Sequence, residues 1–182
     1  MVDEVIVGAG LGLGNAPRVK VLSFRGGALV ETGIDFTAFA AGGRGASDMR
    51  YGAGARVAAG DGDGDGLAEI AVAAGSGLDT PCRVALYRVD TSGGPGAWRV
   101  GVPFVDFTAH FGWSGYYRHG ATVGHCDADG DGRGDVVVGA GPALLQRPMV
   151  AVHSGEGEFS GIAFQAYPDP EQESPWWRGP GI

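Results

Sequence analysis

Acidic side chains occupy every second position at the start of two nine-residue stretches of this chain. They are DGDGDGLAE at 61–69 and DADGDGRGD at 127–135. Calcium prefers six to eight oxygen ligands at about 2.3–2.6 Å in a flexible arrangement. In each stretch, positions 1, 3 and 5 offer carboxylates, glycine at position 6 permits a sharp turn, position 7 offers a backbone carbonyl and position 9 closes the loop. The spacing therefore predicts one Ca²⁺ site in each loop.

The loops are too short to be EF-hands. An EF-hand needs a glutamate at position 12, and the residues there are Val72 and Val138, inside strand-like runs. A solvated acidic turn is the simpler interpretation of either loop alone. The pattern occurs twice, with the same spacing to its surroundings, and this favours the metal site.

The net charge of −8 is a local property of these loops. Eight acids lie in them, and the remaining acids balance the 13 Lys and Arg residues. The chain has no basic stripe, so nucleic acid is not an expected partner. It also has no run of eighteen apolar residues, so membrane insertion is not expected either.

The elements that must position the loops are predicted to be strands. The chain has 182 residues, of which 36 are glycine, and each glycine weakens a helix interior by roughly 1 kcal/mol relative to alanine. These glycines separate short runs of Val, Ile and Ala. Such a composition is typical of an all-β protein with many tight turns.

Short motifs recur along the chain, most of them at spacings of 65 or 66 residues. The first is EVIVGAG at 4–10, EIAVAAG at 69–75 and DVVVGAG at 135–141. The second is RVKV at 18–21, RVAL at 83–86 and MVAV at 149–152. The third is IDFTAF at 34–39, VDFTAH at 105–110 and IAFQAY at 162–167. A fourth motif appears twice, at 51–60 and 117–126, each time directly before an acidic loop.

Each motif has the length and the flanking turn residues of a β-strand. Four strands in a repeated unit are the blade of a propeller. We therefore predict a β-propeller-like array of about three four-stranded blades, approximately 1–48, 49–112 and 113–167. The first blade is expected to be incomplete, because no acidic loop precedes Glu4. A Pro/Trp-rich tail follows at 168–182.

These motifs resemble the integrin-alpha-type FG-GAP repeat, also called the VCBS repeat, which builds calcium-binding β-propellers. The resemblance covers nearly all of residues 3–167 and is carried by 51–72 and its echo at 117–138. It implies a structural metal in the loop between the first two strands of a blade. The ligands it implies are Asp61, Asp63, Asp65, the Leu67 carbonyl and Glu69, then Asp127, Asp129, Asp131, the Arg133 carbonyl and Asp135.

Several residues outside the loops are candidates for binding. Trp113, Tyr116 and Tyr117 could stack on sugars or a partner surface, although packing between blades is the favoured interpretation. Trp176 and Trp177 lie in the tail and are typical interface anchors. Cys82 and Cys126 are expected at opposite ends of the strands and therefore not bonded to each other. The RGD tripeptide at 133–135 is interpreted as part of the metal loop.

The sequence thus predicts a non-enzymatic, extracellular or cell-surface module that calcium stabilises and that serves a structural or adhesive role. We expect it to associate with itself into a ring or a filament, through the edge of the first strand and the tail. Two alternatives remain open. One is a lectin-like propeller that binds glycans, and the other is a propeller fragment of a secreted polysaccharide-degrading enzyme.

Overall fold

The structure is a computed structural model that describes residues 4–12, 15–39, 54–77, 80–94, 96–111, 119–142 and 147–167. Strands, turns and bends form these ranges, which contain no α-helix. Nothing in these ranges is a helix long and apolar enough to cross a bilayer. The prediction of an all-β protein is confirmed.

Thirteen strands make up the secondary structure of the described ranges. They are β1 (Glu4–Gly8), β2 (Arg18–Arg25), β3 (Ala28–Thr37), β4 (Ala55–Gly60), β5 (Glu69–Ala74), β6 (Arg83–Tyr87), β7 (Val89–Asp90), β8 (Arg99–Val100), β9 (Val105–Thr108), β10 (Ala121–Cys126), β11 (Asp135–Ala140), β12 (Met149–His153) and β13 (Phe159–Gln165). Each of the repeated motifs that the structure describes lies on one of them.

The strands form three main antiparallel sheets and one small hairpin. The first sheet has the order β1-β2-β3, the second β4-β5-β6-β9 and the third β10-β11-β12-β13, while β7 and β8 pair only with each other. Within each main sheet, strands adjacent in the chain are adjacent in space, apart from the inserted hairpin. The acidic loops connect the first two strands of the second and third sheets.

The second and third sheets have matching registers. Ala55 pairs with Ala74 in the second sheet, as Ala121 pairs with Ala140 in the third. At the other end of these strands, Gly60 pairs with Glu69 and Cys126 pairs with Asp135. Corresponding residues in the two sheets can therefore be compared position by position.

Two apolar layers separate the three sheets. The layer between the first and second sheets contains Val19, Val21 and Ile34 from one side and Ile70 and Val72 from the other. The layer between the second and third sheets contains the equivalent set. Its members include Ala71, Val84, Leu86, Val136 and Val138. Strand β5 is buried along its whole length, because its two faces line different layers.

Each layer is crossed by one hydrogen bond of the same kind. In each case the last residue of β6 or β12 accepts a hydrogen bond from a backbone N–H two residues beyond the last strand of the preceding sheet. Phe39 N–H donates to the Tyr87 hydroxyl at 3.0 Å, and His110 N–H donates to His153 Nε2 at 3.1 Å. Tyr87 and His153 also lie against equivalent phenylalanine rings, Phe36 and Phe107, each at a centroid distance of 4.8 Å.

His153 gives the fold a dependence on pH. Its side chain is buried, and burial, followed by the proximity of His110, lowers its pKa to about 4. An unfolded histidine has a pKa of about 6.5, so protons bind preferentially to the unfolded chain below that pH. The free energy of unfolding is fully retained above pH 6.5 and falls as the pH is lowered toward 4.

The variant His153→Tyr should remove this dependence, since tyrosine already serves at the equivalent position 87. Between pH 7.5 and pH 5, we expect the wild type to lose about 2 kcal/mol more than the variant in free energy of unfolding. Urea denaturation at the two pH values measures the difference. Identical losses in the two proteins would show that His153 is not the group that titrates.

The two cysteines lie near opposite ends of β10. The buried Cys82 donates its S–H to Gly120 O at 3.0 Å, just before β10 begins, and Cys126 is exposed where β10 ends. A strand of this length spans about 17–20 Å, whereas a disulfide needs Cα atoms within about 7 Å. The expectation that they are not bonded to each other is confirmed. Burial raises the pKa of the Cys82 thiol to about 11, so this thiol is not reactive near neutral pH.

Candidate metal centre

The two acidic loops lie side by side at the same end of neighbouring sheets. Gly134 N–H, in the second loop, donates to the backbone carbonyl of Asp61, in the first, at 2.7 Å. Gly62 also lies close to Gly155, in the turn after β12. The loops are therefore part of the contact between the second and third sheets, and their conformations are linked.

In the first loop, carboxylate oxygens hold the backbone in a tight curl. Asp61 Oδ1 accepts N–H groups from Gly64 at 2.7 Å and Asp65 at 3.1 Å, and its Oδ2 accepts Gly66 N–H at 2.8 Å. Glu69 Oε2 reaches back from the start of β5 to accept Gly62 N–H at 2.8 Å. The first and last acids thus tie the two ends of the loop together.

The second loop repeats this hydrogen-bond pattern. Asp127 accepts Gly130 N–H at 2.7 Å through Oδ1 and Gly132 N–H at 3.0 Å through Oδ2. Asp135 Oδ2 accepts Ala128 N–H at 2.9 Å, as Glu69 does in the first loop. Two loops that differ at several positions therefore adopt one conformation, set by the acids they share.

Three acids in each loop converge on one point. Their ligand oxygens all lie within 4.8 Å of one another, and the groups are Asp61, Asp63 and Glu69, then Asp127, Asp129 and Asp135. Two oxygens bound to one Ca²⁺ at about 2.3–2.6 Å can be no more than about 5 Å apart. An all-oxygen donor set of carboxylates suits a hard cation. The residues present therefore could hold a hard metal cation.

Position 5 of each loop stands apart from these groups. Asp65 Oδ1 accepts Leu67 N–H and Asp131 Oδ1 accepts Arg133 N–H, both at 2.7 Å. Each aspartate therefore stabilises the turn that presents residue 67 or 133. A role for these two carboxylates and for the carbonyls of Leu67 and Arg133 in binding metal remains a prediction.

Glu69 is the most deeply buried acid of the first loop. Its side chain is only 2% exposed, and burial raises its pKa, as does its proximity to Asp63, Asp65 and Asp61. The Gly62 N–H acts in the opposite direction. A buried carboxylate surrounded by other carboxylates is costly unless a positive charge compensates it. A calcium ion bound by the loop would supply that charge.

In the described part of the chain, an arginine side chain forms an ion pair with an acid of the first loop, and no equivalent ion pair is seen at the second loop. Arg88 Nη2 lies 2.7 Å from Asp63 Oδ2, and its guanidinium stacks over the Phe104 ring at 4.1 Å. This contact lowers the pKa of Asp63. The residue after the third strand of the third sheet is Ser154 instead. A calcium ion in the first loop would share Asp63 with Arg88, so we expect that loop to bind it more weakly.

His125 belongs to this region although no sequence motif identified it. Its ring lies between the backbones of Gly60 and Gly134, so close that a Cβ atom at either glycine would overlap it. Its Nε2 is buried without a hydrogen-bond partner among the described residues, and burial lowers its pKa. The residue at the equivalent position of β4 is Ala59, and this departure from the repeat was the signal available in the sequence.

The remaining candidates divide into two classes. The aromatic residues proposed as a ligand or interface surface, which are Trp113, Tyr116, Tyr117, Trp176 and Trp177, lie outside the described residues. The RGD tripeptide is built into the second loop, where Gly134 and Asp135 both make the hydrogen bonds given above. The tripeptide therefore makes hydrogen bonds with other parts of the same chain.

Neither the family models nor the curated proteins that were searched contain a match to this chain.

Proposed function

We propose that this chain is a calcium-stabilised structural module of the β-propeller type, built from repeats of the FG-GAP kind. Each of the two loops holds one Ca²⁺, and the metal serves the fold rather than a reaction. The module is non-enzymatic and acts outside the cell, in an adhesive or scaffolding role. Extracellular modules bind calcium at about 10⁻⁴–10⁻³ M, a concentration found there and not in the cytosol.

One observation carries the proposal. The convergent acids occur twice, at matching positions of two sheets, with the same backbone hydrogen bonds in both loops. Three carboxylates held together repel one another, and this repulsion disfavours the arrangement in the absence of a cation. A shared cation would offset it. The stacking of three successive antiparallel sheets supports the propeller arrangement.

The location of the loops explains what the metal would do. The first loop touches the second through Gly134 and Asp61, and both lie at the junction of two sheets. A cation in either loop would fix the end of a sheet and the contact with its neighbour. The residues of this chain would supply the oxygens and the preformed curl, so the cost of ordering the loop on binding would be small.

Calcium titration of the metal-free protein tests the proposal. We expect the wild type to bind two Ca²⁺ per chain by isothermal titration calorimetry. Asp63→Asn and Asp129→Asn should each lose one site, because each removes one of three convergent carboxylates. Glu156→Gln is the matched control: it also removes one negative charge, from an exposed residue outside both loops, and should still bind two. A wild type that binds none, or variants that all bind two, would refute it.

A further inference from the structure

In the described part of the chain, each of the two outermost sheets has an apolar face with no other sheet packed against it. On the first sheet, the face away from the second sheet carries Val5, Val7, Leu22, Phe24 and Leu29. Cross-strand pairing places Val5 beside Leu22 and Phe24 beside Leu29. Four of these five side chains are exposed, with Val7 at 46%. We call this the outer face of the first sheet.

On the third sheet, the face away from the second carries Val137, Val150, Ile162 and Phe164. Strand alternation separates Ile162 and Phe164 from Ala163, which packs toward the second sheet. Val150 pairs with Phe164 across β12 and β13. Phe164 is 46% exposed and Ile162 is 42% exposed. We call this the outer face of the third sheet.

The outer face of the third sheet has the composition of a face that is covered elsewhere in the molecule. Each sheet pairs a valine of its next-to-last strand with a phenylalanine of its last strand: Val19 with Phe36, Val84 with Phe107, and Val150 with Phe164. Phe36 packs into the layer against the second sheet, and Phe107 packs into the layer against the third. Phe164 is the third member of this series and has no sheet against it among the described residues.

The outer face of the first sheet is likewise equivalent to faces that are covered. Val5 and Val7 have the register positions of Ile70 and Val72, which are buried against the first sheet. The charged residues on this face are paired with one another, Arg18 with Asp35 and Lys20 with Glu31. Covering the face would therefore bury no unpaired charge.

A cation–π contact between the first and second sheets has its two equivalent residues on the two outer faces, one on each. Arg83 pairs with Asp106 on the second sheet, and its guanidinium lies 5.0 Å from the centre of the Phe39 ring on the first sheet. Arg18 pairs with Asp35 in the same way on the first sheet. Tyr167 follows the third sheet at the position that Phe39 has after the first, and it is 79% exposed. The two faces thus carry both halves of a contact that the molecule makes internally.

We propose that the outer face of the third sheet binds the outer face of the first sheet of a second copy of this chain. The contact continues the sheet-on-sheet stacking seen twice within the molecule, and Arg18 of one copy lies over Tyr167 of the other. It joins two different surfaces, so it produces a ring if the rotation closes and a filament if it does not. The inference stands on the packing of the sheets and does not depend on calcium in the loops.

Two variants, each with a charge placed on one of the two faces, test this arrangement when they are studied alone and mixed in calcium-saturated buffer. Val7→Asp places a charge on one face, and Phe164→Asp places one on the other. By analytical ultracentrifugation, the wild type should form dimers or larger assemblies, and each variant alone should be monomeric, with a dissociation constant raised at least about tenfold. An equimolar mixture of the two should form a one-to-one dimer, because each variant retains the face that the other has lost. Val102→Asp, a charge at an exposed valine outside both faces, should associate as the wild type does.

Every other outcome contradicts the proposal. A monomeric wild type, variants that still associate, or a mixture that stays monomeric would each exclude head-to-tail stacking. If deletion of residues 168–182 abolishes association while the face variants do not, the tail is the contact instead. Should a charged variant fail to fold, Arg18→Cys and Tyr167→Cys in a Cys126→Ser background give a second test. Only their mixture should form a disulfide-linked dimer under mild oxidation, and its absence would also overturn the proposal.

Discussion

Removal of calcium is expected to lower the stability of this protein by about 5 kcal/mol, when compared with both loops filled at a hundredfold excess over the dissociation constant. On the proposal above, calcium would bind the folded chain, in which the three acids of each loop converge, and would have little affinity for the unfolded chain, in which they are dispersed. For a chain of this size, the melting temperature should fall by about 10 °C or more on addition of chelator. Differential scanning calorimetry with and without chelator measures the change.

The variants assign this effect to the loops. Asp63→Asn and Asp129→Asn should each remove about half of the chelator-dependent shift, and the double variant nearly all of it. Glu156→Gln should leave the shift intact, since it changes net charge equally without touching a loop. An unchanged melting temperature in a sample first shown to be loaded with calcium would contradict the assignment.

Gly120→Ala is expected to destabilise the fold by about 3–5 kcal/mol, because it combines two penalties. Gly120 has a φ of +71°, and a Cβ atom there would overlap the Gly75 carbonyl oxygen and lie 2.8 Å from that of Ala74. Gly120 N–H also donates to Thr80 O at 2.8 Å, so the backbone cannot shift without breaking a contact between sheets.

Gly26→Ala is the matched control for this prediction. Gly26 also has a left-handed φ, +57°, but a Cβ atom there would meet open space. The substitution should lower the free energy of unfolding only by the cost of a left-handed backbone conformation, about 1–2 kcal/mol. Urea denaturation measures the loss in free energy of unfolding for both variants. The difference between the two losses is the part due to close approach of the sheets at Gly120. Equal losses would show that the sheets can separate at Gly120 without cost.

The strands and loops could be predicted because their signals are local. The run at 69–74 is β5 and that at 135–140 is β11, and both were recognisable from alternating or continuous apolar residues between turn signals. The acidic loops follow from spacing alone. In the first sheet, however, β3 begins at Ala28, well before the motif at 34–39, because the glycine pair at 26–27 forms a tight hairpin that the repeat did not reveal.

Features that join distant parts of the chain could not be predicted. Among the described residues, the hairpin of β7 and β8 is found only between the strands of the second sheet, where it lengthens the spacing between motifs, so no repeat identified it. The hydrogen bonds of Tyr87 and His153 join residues 48 and 43 positions apart. The position of His125 between the loops depends on how two sheets pack. Such contacts follow from the stacking of the sheets, which local patterns do not specify.

The central claim, that each acidic loop holds one calcium ion, is tested most directly by locating the metal in crystals grown with calcium. Anomalous scattering should show two sites per chain. One should be about 2.3–2.6 Å from carboxylate oxygens of Asp61, Asp63 and Glu69, and the other at the same distance from those of Asp127, Asp129 and Asp135. Ordered loops with no anomalous density, or calcium bound only elsewhere on the chain, would contradict the account.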